Sequence, residues 1–169
     1  MNRLLITMLM AAALTAPAPG AHAAEKGAVA PPESAREARM LARINVHRVR
    51  FRLVPLEFNA KLASAARAHA ADMAARDYFS HDGPDGVGFQ SRVTQAGYRW
   101  RAVAENLAGG LFTAKATVDS WMTSEGHRQN LLNPAFRHAG IGYTFRAPDG
   151  GAVRYRHYWA LTLGALLAN

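Results

Sequence analysis

The spacing of apolar residues predicts helices in the first half of the chain. Apolar residues recur at helical spacing from Met40 to Ile44, behind the capping-box sequence "SARE" at residues 34–37, and this helix is predicted to end near Val49. A second helix begins after Asn59, its predicted N-cap. The inward stripe of this second helix consists of Leu62, Ala66, His69 and Met73. His69 is therefore predicted to be a hydrogen-bonded residue of the core.

The middle of the chain alternates turn-forming segments with helical ones. "SHDGPDGVG" (residues 80–88) is too rich in turn formers for regular structure, whereas "FQSRVTQAG" (89–97) predicts a short helix that ends at a glycine. "YRWRAVAENLAGG" (98–110) is predicted to be a buried connection. Thr113 is the predicted N-cap of a third long helix, which stops at Gly126.

Two alternating segments near the end of the chain predict a pair of strands. They are "HAGIGYTFR" (138–146) and "VRYRHYWALTLG" (153–164), joined by the turn "APDGG" (147–151). Helices followed by such a hairpin predict an α+β domain in which helices cover an antiparallel sheet. We assign this domain to residues 34–169, which is long enough to bury a hydrophobic core.

The first 23 residues have the features of an export signal. Arg3 precedes an apolar run, "LLITMLMAAALTA" (4–16), that is too short to span a bilayer, and "AHA" (21–23) offers small residues for cleavage. A retained anchor is the alternative, but the sequence "APAPGAHA" would break its helix. We expect a secreted or periplasmic protein with a flexible leader at residues 24–33 and no later transmembrane segment.

Composition narrows the kinds of site that the chain can build. It contains no cysteine, which excludes disulfides, thiolate zinc sites and thiol catalysis and favours a bacterial envelope protein. The formal charge is +8, or +7 once Arg3 is removed, and 17 of the 20 basic residues are arginine. The charge favours a generally basic surface, and export argues against nucleic acid as a partner.

Three residues are candidates for chemistry. Glu125 continues the apolar face of the third helix that runs from Val118 through Trp121, so its carboxylate requires a partner. Glu105 lies in "AVAENLAGG", which has no other charge, and His81 lies in the turn-rich loop. Two carboxylates and an imidazole suit a divalent cation or a proton relay. The sequence contains no H-E-x-x-H, G-x-S-x-G, P-loop or dinucleotide motif.

Several ordered segments resemble the CAP superfamily, which comprises cysteine-rich secretory proteins, antigen 5 and pathogenesis-related proteins. The resemblance is to the bacterial, cysteine-free branch, also called SCP-like domains, and it runs from about Ala38 to Gly164. It rests on "NVHR", "VPLEFNAKLASAARAHAADMAARDYFSHDGPDG", "SRVTQAGYRW", "AENLAGG", "WMTSEGHRQNLLNPAFRHAGIGY" and "YWALTLG". The resemblance implies an α-β-α sandwich with a central antiparallel sheet and a cleft.

The same resemblance implies which residues line the cleft. In many members two histidines and two glutamates line it, and some members bind zinc, calcium or magnesium there. His81 and Glu105 match the first histidine and glutamate, and Glu125 is the candidate for the second glutamate. Tyr158 stands where the second histidine is expected, and strand alternation turns the neighbouring His157 to the opposite face. The tentative metal set is therefore His81, Glu105 and Glu125.

Other polar residues in these segments are interpreted as structural. His127, Arg128 and Asn130 are predicted to fasten the end of the third helix to neighbouring loops, because basic residues there complement free carbonyl groups. Asn106, beside Glu105, is predicted to be a hydrogen bonder that fixes its segment.

Three functions compete. The resemblance favours a non-catalytic extracytoplasmic module that binds a small lipid, a peptide or an envelope glycan. The first alternative is a metal-assisted hydrolase, resembling a protease, that uses the tentative metal set. The second alternative is a basic adhesin that binds polyanions through Arg48, Arg50 and Arg52.

Overall fold

The structure, a computed structural model, describes residues 34–147 and 150–168. The expected signal peptide and leader lie outside the described residues. The helices are α1 (Ala35–Arg50), α2 (Ala60–Ala75), α3 (Phe89–Gln95), α4 (Ala114–Thr123) and α5 (Glu125–Leu131). The strands are β1 (Glu57–Phe58), β2 (Trp100–Gly109), β3 (His138–Phe145) and β4 (His157–Leu166). Within the described ranges, no helix is both long and apolar enough to cross a bilayer.

The four strands form one sheet in the order β1-β3-β4-β2. The predicted β3–β4 pair is antiparallel, and β2 pairs antiparallel with the other side of β4. The prediction of a buried connection at residues 98–110 was wrong, because this segment contains the edge strand β2. The sheet is also not wholly antiparallel, since the two residues of β1 pair parallel with β3.

Helices cover both faces of the sheet, as the α-β-α sandwich requires. One face packs against α1 and α4, with Trp121, Trp159 and Leu161 among its buried residues. The other face packs against α2, which lies so close to β3 that a Cβ atom on Gly140 or Gly142 would overlap the α2 backbone. The glycines of "GIGY" therefore set the distance between helix and sheet.

The first helix begins as predicted but its capping box is incomplete. Ser34 Oγ accepts a hydrogen bond from the backbone N–H of Glu37. The Glu37 carboxylate does not return to Ser34, since Arg67 on α2 donates to both of its oxygens, at 2.8 and 2.6 Å. Asn59 caps α2, and every residue of the predicted inward stripe of that helix is buried.

Arg48, at the end of α1, is a structural residue. It is fully buried, and its guanidinium donates to four backbone carbonyl groups at 2.7 to 3.1 Å. The acceptors are Val54, Leu131, Asn133 and Phe136. Burial lowers its pKa, and the nearby Arg137 lowers it further. The predicted role of Arg48 in binding a polyanion is therefore wrong, because the side chain does not reach the surface.

The third predicted helix is two helices. α4 ends at Thr123, and Ser124 adopts an extended conformation with φ −96° and ψ 121° before α5 begins at Glu125. A helical face extrapolated through Ser124 therefore does not continue into α5.

Candidate functional site

A buried carboxylate on the edge strand holds an exposed imidazole. Glu105 lies on β2 with its side chain on the α2 face of the sheet, and only 2% of that side chain is exposed. The loop after α2 brings His81 to it, and His81 Nδ1 donates to Glu105 Oε1 at 2.9 Å. Since a carboxylate can only accept, this bond fixes the tautomer and leaves Nε2 free to contact a ligand. The His81 side chain is 51% exposed.

Arg92 on α3 completes the surroundings of this carboxylate. Its Nη2 group lies 3.2 and 3.0 Å from the two oxygens of Glu105 and donates to the His81 carbonyl at 2.9 Å. Its Nη1 group donates to the carbonyl of Val87 at 2.8 Å. One guanidinium therefore neutralises Glu105 and fixes the loop that carries His81. The sequence analysis missed Arg92, because no local pattern links it to a carboxylate 13 residues away.

A second imidazole comes from the other side of the strand edge. His127, on α5, is half-buried, and its ring centroid lies 6.4 Å from that of Trp121. Burial lowers the pKa of His127, and the charge on His81 lowers it further, so the two imidazoles lie within electrostatic range. We call the space bounded by His81, Glu105, Arg92 and His127 the cleft. His127 was predicted to be structural, and its imidazole is in addition near enough to His81 to interact with it electrostatically.

Two asparagines hold α5 against the edge of β2. Asn106 Nδ2 donates to the carbonyl of His127 at 3.0 Å, and Asn130 Nδ2 donates to Asn106 Oδ1 at 2.8 Å. Both amides connect backbone segments, which is the kind of contact that the sequence predicted for them. Their consequence for the cleft is that they position the backbone of His127.

Glu125 does not lie in the cleft. Its side chain is exposed, accepts a hydrogen bond from Gln129 Nε2 at 3.2 Å, and lines a separate groove. The predicted placement on an apolar face was wrong, because the break at Ser124 resets the helical phase. Arg128 borders the same groove, and its guanidinium lies 5.5 Å from the ring centroid of Phe51.

Tyr158 does not line the cleft either. It is on the same face of the sheet as Glu105, but it is fully buried in the core with Ala66, Met73 and Leu107. His157 takes the opposite face, as strand alternation predicts.

The donors present in the cleft do not fit a divalent cation. Among residues 34–147 and 150–168, no three His, Cys, Asp or Glu side chains are arranged to hold a metal ion. The tentative metal set is divided, since Glu125 lies apart from the other two members. Glu105 is already neutralised by a guanidinium, which supplies the positive charge that a cation would bring. A zinc site needs three or four ligands, and with the Glu105 carboxylate engaged by His81 and Arg92 the cleft has only two imidazoles left to offer.

A cavity of about 490 Å³ adjoins the cleft between α2, α3 and the loop that joins α2 to α3. We call it the α2–α3 cavity. Its lining combines small side chains with polar ones, among them Ala65, Ala68, His69, Tyr78, Arg92 and Ala96. Two of these residues also contact the cleft: Arg92, through its ion pair, and His69, whose Nε2 lies 3.9 Å from Glu105 Oε1. The volume is in the range of small-molecule sites.

Hydrogen bonds hold the shared wall rigid. His69 Nε2 donates to the carbonyl of Ser80 at 2.9 Å, and the Tyr78 hydroxyl donates to Asp72 Oδ2 at 2.5 Å. Burial lowers the pKa of His69, although the charge of Glu105 opposes this effect. A neutral His69 therefore separates the cavity from the buried carboxylate.

Comparison with known proteins agrees with this fold and places it in a family. Residues 41–162 match the family described as "CAP: Cysteine-rich secretory protein family". The chain therefore belongs to the CAP family, and the resemblance predicted from its sequence is confirmed.

Relatives come from several bacteria. The chain is 37% identical over 110 residues to the uncharacterized protein YkwD of Bacillus subtilis, a match that covers 65% of this chain and 43% of YkwD. It is similar to the structure of an extracellular protein containing a SCP domain from Bacillus anthracis, with 27% identity and a TM-score of 0.67. That match covers 77% of this chain and 40% of the other protein. An outer surface protein of Borrelia burgdorferi shares the fold, with a TM-score of 0.67, 18% identity and coverage of 77% of this chain and 92% of that protein.

Proposed function

We propose that this protein is an exported, non-catalytic CAP-domain module that binds a small lipid, a peptide or an envelope glycan fragment where the cleft meets the α2–α3 cavity. The observation that carries the proposal is the shared wall. Arg92 and His69 line the cavity and contact Glu105, so a ligand in the cavity lies one side chain away from the carboxylate that holds the exposed His81 imidazole. A cavity of this volume, with polar groups fixed by hydrogen bonds, can hold and orient a small molecule.

Secretion or transfer to the periplasm is part of this proposal. The sequence features of residues 1–23 support it, and the Bacillus anthracis relative is described as extracellular. The chain spans less than half the length of that relative and of YkwD, so the activities of those whole proteins are not transferred to it.

The arrangement of hydroxyl groups favours binding over catalysis. Within the described residues, no serine or threonine hydroxyl is hydrogen-bonded to His81 or His127, so neither imidazole has a nucleophile to activate. The metal-assisted alternative also loses its third ligand with Glu125. The cleft can donate and accept hydrogen bonds through fixed groups, which is what orientation of a ligand requires.

A cavity-filling variant tests the proposal. Ala68 is exposed on α2 and lines the cavity, so Ala68→Leu fills the cavity without disturbing the core, whereas Ala71→Leu adds the same side chain to an exposed position outside the lining. The probes are palmitate, a tripeptide and a disaccharide-peptide released from peptidoglycan, each titrated by NMR. Binding of one probe that Ala68→Leu and His81→Ala weaken and Ala71→Leu preserves is the expected result.

The same preparations distinguish the hydrolase alternative. Stoichiometric metal in the wild type, together with turnover of a probe that His81→Ala abolishes, would replace the binding proposal by metal-assisted hydrolysis. Binding that is unaffected by Ala68→Leu would remove the cavity from the site.

A further inference from the structure

Exposed aromatic rings form a second surface on the opposite face of the sheet from the cleft. We call this surface the aromatic face and define it by Phe112, Tyr143, Phe145 and His157. Phe112 is 61% exposed and Phe145 is 55% exposed, although both are large apolar side chains. Their ring centroids each lie 5.3 Å from that of His157. Tyr143 hydrogen-bonds to His157 Nδ1 at 2.8 Å, so the rings form one connected surface.

A fixed positive charge lies within the aromatic face. The Arg36 guanidinium lies 5.0 Å from the ring centroid of Phe112 and 4.6 Å from that of Tyr143. Its Nη1 group donates to the Phe112 carbonyl at 2.9 Å, which leaves its other N–H groups available to an anion. Stacking on two rings holds the guanidinium at the surface at little further cost in side-chain entropy.

The charges that act on His157 are positive. Burial lowers the pKa of His157, and the charges of Arg36 and Arg156 lower it further. Of the two, Arg36 lies on the aromatic face, whereas Arg156 pairs with Arg146, whose side chain reaches Asp77 at the end of α2. No carboxylate among the described residues is among the charges that shift this pKa. The face thus combines two protruding phenyl rings with a local excess of positive charge.

This combination suits one class of partner. The phenyl rings carry no hydrogen-bonding group, so they gain from an apolar medium, whereas the guanidinium group of Arg36 gains from anions in the same plane. An anionic bilayer surface offers both, with acyl chains beneath a layer of phosphate groups. We propose that the aromatic face docks the domain on an anionic lipid membrane, with Phe112 and Phe145 entering the interface and Arg36 pairing with lipid phosphates.

The course of the chain is consistent with this orientation. Arg36 is in the first turn of α1, so the beginning of this helix lies beside the aromatic face. A membrane-bound orientation on this face leaves the cleft and the α2–α3 cavity directed away from the lipid. The inference does not depend on what the cleft binds.

Vesicle flotation of the protein recovered after export tests this inference. Wild type and variants then have the same N-terminal segment, so any difference in flotation comes from the substituted side chains. Wild type is expected to float with vesicles of equal phosphatidylglycerol and phosphatidylcholine, to be released by salt, and to remain unbound to pure phosphatidylcholine. The double variant Phe112→Ser/Phe145→Ser should lower the partition coefficient at least about tenfold. Arg36→Gln should lower it roughly fivefold.

Phe51→Ser provides the matched control. Phe51 is 48% exposed at the end of α1, outside the aromatic face, so its replacement should leave flotation unchanged. Equal losses for Phe51→Ser and the double variant would overturn the proposal, as would unchanged flotation of the double variant with native circular dichroism. Retention on immobilised heparin that depends on Phe112 and Phe145, without flotation, would identify a glycan as the partner and would also overturn it.

Discussion

Replacing Arg92 by methionine should destabilise the fold by about 3–5 kcal/mol, which is the usual cost of removing one partner from a buried ion pair. The burial of both side chains in the structure supports a loss of stability of this size. The Glu105 side chain is 2% exposed and that of Arg92 is 13% exposed, so water cannot replace the lost guanidinium at the carboxylate. The remaining close donor, His81, is itself half-exposed and contacts one oxygen only.

A second substitution separates the charge effect from the loss of loop contacts. Arg92 also donates to two loop carbonyl groups, and Arg92→Met removes those bonds as well. Glu105→Gln in the Arg92→Met background makes the buried group neutral, so it should recover roughly 1–3 kcal/mol of the loss. The free energies of unfolding are measured by urea denaturation with both single variants and the double variant, which completes a double-mutant cycle.

A surface ion pair calibrates the result. Arg43 and Asp119 lie 2.7 Å apart, with side chains 29% and 36% exposed, so Arg43→Met should cost no more than about 1 kcal/mol. If Arg92→Met costs as little as Arg43→Met, and Glu105→Gln recovers nothing, the cleft carboxylate is solvated and the reasoning about its neutralisation is refuted.

Three further predictions use other parts of the structure. His81→Gln should raise the pKa of His127, since it removes a nearby positive charge; imidazole NMR titration measures this, and an unchanged pKa would contradict a shared cleft. The free energy of unfolding should decrease as the pH falls below about 6.5, the pKa of histidine in the unfolded chain, because burial lowers the pKa of five histidines in the folded protein and protonation then favours the unfolded state. His69→Gln should make the dependence of stability on pH less steep. Melting temperatures that do not change from pH 7 to pH 5 would contradict this prediction. Gly142→Ala should lower the free energy of unfolding by about 1–3 kcal/mol, because its Cβ atom would overlap the backbone of α2. Gly126→Ala, in open space on α5, should be neutral or slightly stabilising. Equal melting temperatures for the two variants would contradict the close packing of α2 on β3.

Helical periodicity and strand alternation predicted most elements of the fold. The inward stripe of α2 and the pairing of β3 with β4 follow from spacing alone. Strand β2 was missed because both of its faces are covered, so small apolar residues occupy both and the alternation disappears. Ala104 packs on one side, whereas Val103 and Leu107 pack on the other.

The candidate site was predicted only in part, for reasons of geometry. The turn-rich loop around His81 and the lack of any other charge around Glu105 identified these two residues, which are in contact. The assignment of Glu125 was wrong, because one extended residue at Ser124 changes the helical phase of the residues after it. Arg92 could not be predicted, since its contact with Glu105 depends on how a loop of turn formers folds back over the sheet edge.

The central claim, that the cleft and the α2–α3 cavity form one binding site, is tested most directly by NMR titration of the wild type with a probe that binds. The account predicts simultaneous shifts at the backbone amides of Ala68 and Ala96 and at the imidazole of His81, with equal affinities from all three. It also predicts no shifts in the groove beside Glu125. Shifts confined to that groove, or different affinities at Ala68 and His81, would contradict the claim.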